Sequence, residues 1–362
     1  MSFTAVLVFV LVAALAAANG SNDVPKGVAT LAGAGVTKYR TAIIWGTVTT
    51  LAGCVFSLAL ADKMTKLFSK GIVTAAPTEA FAVAVLAGAV SWVALATVLR
   101  LPVSTTHALI GALLGAGLFL ASDSIAWSAI PQKLVVPLLM SVGVAYAVSL
   151  VLALIVNRVG RRNRGPGPTA TSEGTPSPTG TPEAAEPGAV LAAERVTTDP
   201  ADTPRTAASS RMLTAAHWLT SGATGFARGL NDTPKIVAVG AFALIPAGMT
   251  TWQIMLLVAG AMALGSLAGG IRLAERLGEG VIRMNHTEGF LANLTTATLV
   301  GLGAGYGLPM STTHTSTGAI AGSAGATLSR LSGRTLKHFL IAWLVTPPFA
   351  AAVSATVFLV VR

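Results

Sequence analysis

The sequence predicts an all-α polytopic membrane protein made of two homologous repeats with broken or re-entrant helices. Three observations lead there. Of 362 residues, 53% are apolar and only 10% charged, and the mean hydropathy is +0.71. A soluble domain carries about 25% charged residues, so a water-soluble globule is excluded. Apolar runs long enough to cross a hydrocarbon core, which takes roughly 20 helical residues, recur along the chain. Two polar motifs, embedded in those runs, each occur twice and in the same order.

The predicted crossing segments lie at 2–18, 41–61, 79–99, 133–157, 213–230, 251–271, 288–307 and 337–361. Shorter, Gly-rich stretches at 27–36, 104–121, 234–247 and 312–328 begin at polar clusters and read as half-helices or re-entrant hairpins. Unwound backbone is tolerated at membrane depth where it lines a site. No Lys or Arg precedes Lys26, so the apolar N-terminus lacks the basic region of a cleaved signal peptide. The single cysteine, Cys54, lies in an apolar run, which leaves no intrachain disulfide and no cysteine-based metal site.

The net charge of +10 sits in short clusters between apolar segments, such as Lys63–Lys66–Lys70 and Arg158–Arg161–Arg162–Arg164. Loops of that kind orient a membrane protein and meet anionic lipid, so no nucleic-acid partner is expected. Residues 158–211 carry 13 of the 38 charged residues and 8 of the 18 prolines. Their composition predicts a disordered linker, placed in the cytoplasm by its arginines. It divides the chain into a first transmembrane repeat, 1–157, and a second, 212–362. A multi-pass protein of the cell membrane is expected.

The duplication is specific. Asn22-Asp23-Val24-Pro25-Lys26 returns as Asn231-Asp232-Thr233-Pro234-Lys235, and Pro102-Val103-Ser104-Thr105-Thr106-His107 returns as Pro309-Met310-Ser311-Thr312-Thr313-His314. Asp23 stands 81 residues before Ser104, and Asp232 stands 79 before Ser311. Twofold repeats with interrupted helices are a transporter signature. An inverted relation between the halves is expected.

Ser104 and Ser311, each just before an apolar helical run, have the placement of helix N-caps. Helix N-termini present free N–H groups and a positive dipole end, and with Thr105, Thr106, Thr312 and Thr313 they form an oxyanion site without arginine. Asp23 and Asp232 are carboxylates inside apolar sequence, where ionised groups are functional by default. Beside an anion they need a compensating cation or proton. Lys26 and Lys235, three residues on, fall on the same helix face. Each pair reads either as a self-neutralising local ion pair or as an ammonium held beside the substrate. His107 and His314 read either as proton acceptors or as neutral helix residues. His286 and Glu288 have no twin in the first half and read as a loop edge, and the methionines read as packing.

These paired motifs resemble the inorganic phosphate transporter (PiT) family across both halves, with Gly265–Gly270 and Ile271-Arg272-Leu273 similar to that family's Gly-rich helix end. The resemblance implies secondary transport of phosphate coupled to sodium or protons, with the anion near the midplane. It implies a homodimer, no cofactor and no enzymatic activity. Asn22, Asp23, Ser104, Thr105 and Thr106 match the first-half site, and Asn231, Asp232, Ser311, Thr312 and Thr313 the second.

The family signature reads Asn-Asp-x-Ala-Asn, whereas both copies here read Asn-Asp-x-Pro-Lys. A protonated lysine cannot ligate a cation. Lys26 and Lys235 are therefore expected to stand in for two sodium ions, which makes transport sodium-independent and coupled to protons or driven by the anion's own gradient. Sulfate or another oxyanion is the alternative substrate, and an anion channel the alternative mode. An intramembrane hydrolase using Ser104 or Ser311 is disfavoured, since no Gly-x-Ser-x-Gly elbow is present.

Overall fold

The computed structural model describes residues 2–60, 62–128, 130–163, 204–280, 284–325 and 332–362. In the first half, α1 (Phe3–Gly33) and α2 (Tyr39–Leu60) lead into a short turn, α3 (Asp62–Lys66), then α4 (Glu79–Val98), α5 (Thr105–Ala121) and α6 (Val136–Asn163). The second half repeats this with α7 (Pro204–Leu244), α8 (Thr251–Gly280), α9 (His286–Tyr306), α10 (Thr312–Ser323) and α11 (Gly333–Val361). Among the described residues, seven helices are long and apolar enough to cross a membrane: α1, α2, α4, α5 with the turn after it, α6, α8 and α11.

The halves pack with twofold correspondence. α1 lies on α8 as α2 lies on α7, and α5 lies on α11 as α10 lies on α6. The first of these crossings depend on glycine. A Cβ at Gly20 would run into the backbone of Met262, and one at Gly265 into that of Ala17; at the matching contact, Gly229 meets the backbone of α2, and Gly53 meets that of Phe226. Lipid supplies no hydrophobic drive for helix association, so close backbone approach over small residues supplies it. The counterpart helices α1 and α7 run antiparallel: Val24 meets Arg228, Gly27 meets Ser221 and Thr30 meets His217. α2 and α8 do likewise, with Thr47 on Ser266 and Cys54 on Met262.

The helix breaks fall at one of the two expected motifs. α4 and α9 end in matching motifs: Leu101 N bonds Ala96 O and Arg100 N bonds Thr97 O, while Leu308 N bonds Gly303 O and Gly307 N bonds Ala304 O. The left-handed residue of that stop is Gly307 in the second half (φ 74°) and Arg100 in the first (φ 57°). A proline follows by two residues, then the serine cap of the next helix. At the Asn-Asp-x-Pro-Lys motifs, by contrast, no break occurs. α1 and α7 run through Pro25 and Pro234. The expected half-helices at 27–36 and 234–247 are instead the far ends of continuous helices. A proline removes one N–H, a loss that packed neighbours tolerate in a membrane helix.

Two further expectations are corrected. Gly265–Gly270 lies in the middle of α8, where the glycines face α1 and α2, and not at a helix end. The segment 158–211 is helical at both edges, because α6 continues to Asn163 and α7 starts at Pro204. The remainder of the expected linker, 164–203, lies outside the described residues, as do the last residues of the 312–328 stretch, α10 ending at Ser323.

Candidate functional site

The two Asn-Asp motifs, mid-way along α1 and α7, face the N-termini of α5 and α10. Ser104 and Ser311 are the N-caps, with their hydroxyls accepting from His107 N at 3.3 Å and His314 N at 3.2 Å. The extended backbone before each cap points carbonyls inward. Val103 O and Met310 O, equivalent by repeat, both face the lysines.

Each aspartate is paired with the lysine three residues on. Lys26 Nζ contacts Asp23 Oδ1, and Lys235 Nζ lies 3.3 Å from Asp232 Oδ1. The local-pair reading therefore describes one contact of each lysine, but not its others. Lys26 Nζ also donates to Thr313 Oγ1 at 2.6 Å and to Val103 O at 2.7 Å. Lys235 Nζ donates to Thr106 Oγ1 at 2.7 Å and to Met310 O at 3.3 Å. Each ammonium thus reaches the threonine of the opposite repeat. Both ion pairs are buried, with the four side chains at most 2% exposed. A buried pair that loses one partner leaves an uncompensated charge, a penalty of about 3–5 kcal/mol.

Amides complete the surroundings. Asn22 Nδ2 donates to Leu101 O and Thr97 Oγ1, while its Oδ1 accepts from Val103 N, fixing the α4–α5 break against α1. Asn231 Nδ2 donates to Met310 O and Asp232 Oδ1. Thr105 Oγ1 accepts from Asn19 Nδ2, which also donates to Asp23 Oδ2 at 2.8 Å. Thr312 is buried at the same helix start as Thr313. Asp232 Oδ2 and Asn231 Oδ1 are buried without a partner. All ten residues expected to hold the anion, together with both lysines, are gathered at this centre.

The two histidines are placed differently. The rings of His107 and His314 stack with centroids 4.6 Å apart, and Trp343 packs on His314 at 4.0 Å. They floor an apolar cavity of about 520 Å³ between α5, α6 and α11. His314 Nδ1 is bonded to Ser311 Oγ at 2.6 Å.

Sequence reasoning missed two residues. Arg228, one turn before Asp232, is fully buried and within electrostatic reach of both aspartates. Its repeat counterpart is Asn19. Neither stands inside the duplicated motif, so the repeat drew no attention to them. The signal that could have found Arg228 was an arginine inside an apolar crossing segment. His286 and Glu288 mark the start of α9, where Asn285 and Glu288 form a reciprocal capping box.

A duplicated helical bundle with two interrupted helices, whose polar centre is assembled from both repeats, defines a polytopic membrane protein of the transporter type. The model of the phosphate transporter family matches residues 19–354, and the chain belongs to that family. It is 28% identical over 347 residues to a protein of Rhizobium meliloti named "Probable low-affinity inorganic phosphate transporter", covering 93% of this chain and 90% of that one. A Mycobacterium bovis protein of the same name is 28% identical over 367 residues, covering 96% and 76%. A solved structure titled "The sodium-dependent phosphate transporter" superposes with a TM-score of 0.78 over 99% of both chains at 21% identity, which establishes a shared fold.

Proposed function

We propose that the protein is a secondary transporter of inorganic phosphate, with the anion held at the midplane between the Ser-Thr-Thr helix starts and the two Asn-Asp motifs. The observation that carries this is the crosswise pairing of Lys26 with Thr313 and Lys235 with Thr106. Two ammonium groups and two threonine hydroxyls, here bonded to one another and to Val103 O and Met310 O, stand beside the backbone N–H groups of the α5 and α10 starts. Turning these donors onto one tetrahedral oxyanion would engage both repeats. Asn22 and Asn231 hold the breaks in place. The antiparallel run of α1 against α7 and α2 against α8 supports repeats inverted across the membrane. In that arrangement α1, α2 and α6 cross while α4–α5 enters and returns.

The lysines occupy the positions where the family signature has asparagine, and each carries the positive charge that a bound sodium ion supplies elsewhere. The reading is sodium-independent transport, with protons as the coupling ion. The solved neighbour's title names sodium dependence for that protein, whose likeness to this chain is one of fold. Loading purified protein into liposomes and following labelled phosphate tests the substrate. Uptake that excess unlabelled sulfate leaves intact supports phosphate; uptake abolished by sulfate moves the substrate to a broader oxyanion class.

A further inference from the structure

Because the halves pack alike, the wedge where α1 and α7 meet α9 corresponds to the wedge where they meet α4, and the chemistry of the two differs. The shift of 209 residues that superposes Asp23 on Asp232 also pairs His217 with Val8, Ser221 with Val12, Thr224 with Leu15, Arg228 with Asn19 and Val239 with Thr30. Asn293 pairs with Leu86 by the shift that superposes the caps Asn285 and Thr78. Val8, Val12, Leu15, Leu86 and Val239 belong to one continuous apolar core. Their polar twins form a seam where α1, α7 and α9 meet.

Hydrogen bonds link four of these residues, and Arg228 stands beside them. His217 Nε2 lies 3.2 Å from Thr30 Oγ1, which accepts from Asn293 Nδ2 at 2.7 Å. Thr224 Oγ1 donates to Asn293 O at 3.0 Å. Thr224 and Arg228 flank Gly27, where an added Cβ would stand 3.0 Å from Thr224 Cγ2 and 3.4 Å from Arg228 Nη2. At the outer end the His286 ring lies 5.1 Å from that of His217, near the starts of α9 and α7. His217 lies in the first half of α7, which begins at Pro204, so this end faces the side of the segment that joins the repeats.

Buried polar atoms on the seam lack partners: His217 Nδ1, His286 Nε2, and Arg228 Nε and Nη2. Arg228 is anchored by one bond, from Nη1 to Val24 O at 3.2 Å. Its Nε and Nη2 form the fork that grips an oxyanion with two parallel bonds. An unmet buried polar atom is destabilising, a cost that water or an anion in the seam removes.

We propose that this seam is the aqueous route between the central site and the linker side, with Arg228 as a staging point that holds the phosphate anion on its way. The apolar wedge seals the opposite side in the same state. The identity of the anion rests on the function proposed above; the route does not.

Single cysteines in a Cys54→Ala background test this, using a small membrane-impermeant anionic methanethiosulfonate applied to each face of vesicles. Ser221→Cys and Thr224→Cys should be modified from the linker side at least ten-fold faster than Val12→Cys and Leu15→Cys, and phosphate should slow that modification. Met212→Cys, on an exposed residue at the same end of α7, reports that reagent reaches the protein. Modification of Met212→Cys while neither seam cysteine reacts would overturn the route, as would equal rates in seam and wedge. Fast seam labelling slowed by sulfate but not by phosphate would keep the route and overturn the substrate. Arg228→Gln should abolish anion protection of Ser221→Cys while Arg228→Lys retains part of it; protection unchanged in Arg228→Gln would remove the staging role.

Discussion

Lys26 in the first repeat donates to Thr313 in the second at 2.6 Å, and Lys235 returns the relation to Thr106 at 2.7 Å. Neither half holds a complete site. Motions that part the repeats must break or re-form these bonds, which ties the site's geometry to the relative position of the two bundles.

Thr106→Val and Thr313→Val should each depress phosphate uptake by ten-fold or more, since hydrogen bonds to charged groups contribute about 1.5–3 kcal/mol. Initial rates in proteoliposomes check this. A silent variant at either position contradicts a site shared by the two repeats.

Lys26→Met should lower stability by about 3–5 kcal/mol, because Asp23 would remain buried without its partner. Asp23→Asn combined with Lys26→Met should recover most of that loss while transport stays absent. Thermal unfolding in detergent, paired with uptake, separates the two effects.

The left-handed residue ending α4 is Arg100, where the second repeat uses Gly307. A side chain at positive φ costs roughly 1–2 kcal/mol. Arg100→Gly should raise the midpoint of thermal unfolding. Gly307→Ala should lower it, more so because an added Cβ would meet the Lys63 side chain.

Much of this was legible in the chain. The paired motifs carry their own spacing, and the caps Ser104 and Ser311 follow from hydroxyls placed before apolar runs. Pro25 and Pro234 misled, since a proline beside charged residues reads locally as a helix break. The structure keeps both helices intact because the ion pairs Asp23–Lys26 and Asp232–Lys235 bracket the prolines and because α8 and α2 pack tightly over Gly20 and Gly229. That compensation is tertiary. So is the crosswise reach of the lysines, which joins residues 287 positions apart in one case. The stacking of His107 on His314 also depends on how the two helix starts meet, and no local pattern encodes it.

Asparagine at both lysine positions tests the proposed substitution of lysine for bound sodium. On the proposed reading, Lys26→Asn with Lys235→Asn should confer a sodium stimulation of phosphate uptake that the wild type does not show. The doubly substituted site would lose two positive charges and regain two neutral oxygen ligands. Uptake measured across a sodium series, in wild type and variant, reads this directly.

If buried ammonium groups do the work of bound sodium, as proposed, wild-type transport needs no sodium. Labelled phosphate uptake should be measured in proteoliposomes with an imposed inward proton gradient and sodium rigorously excluded. Uptake that depends on the gradient and does not change when sodium is added is the predicted result. Uptake that begins only on addition of sodium would contradict it.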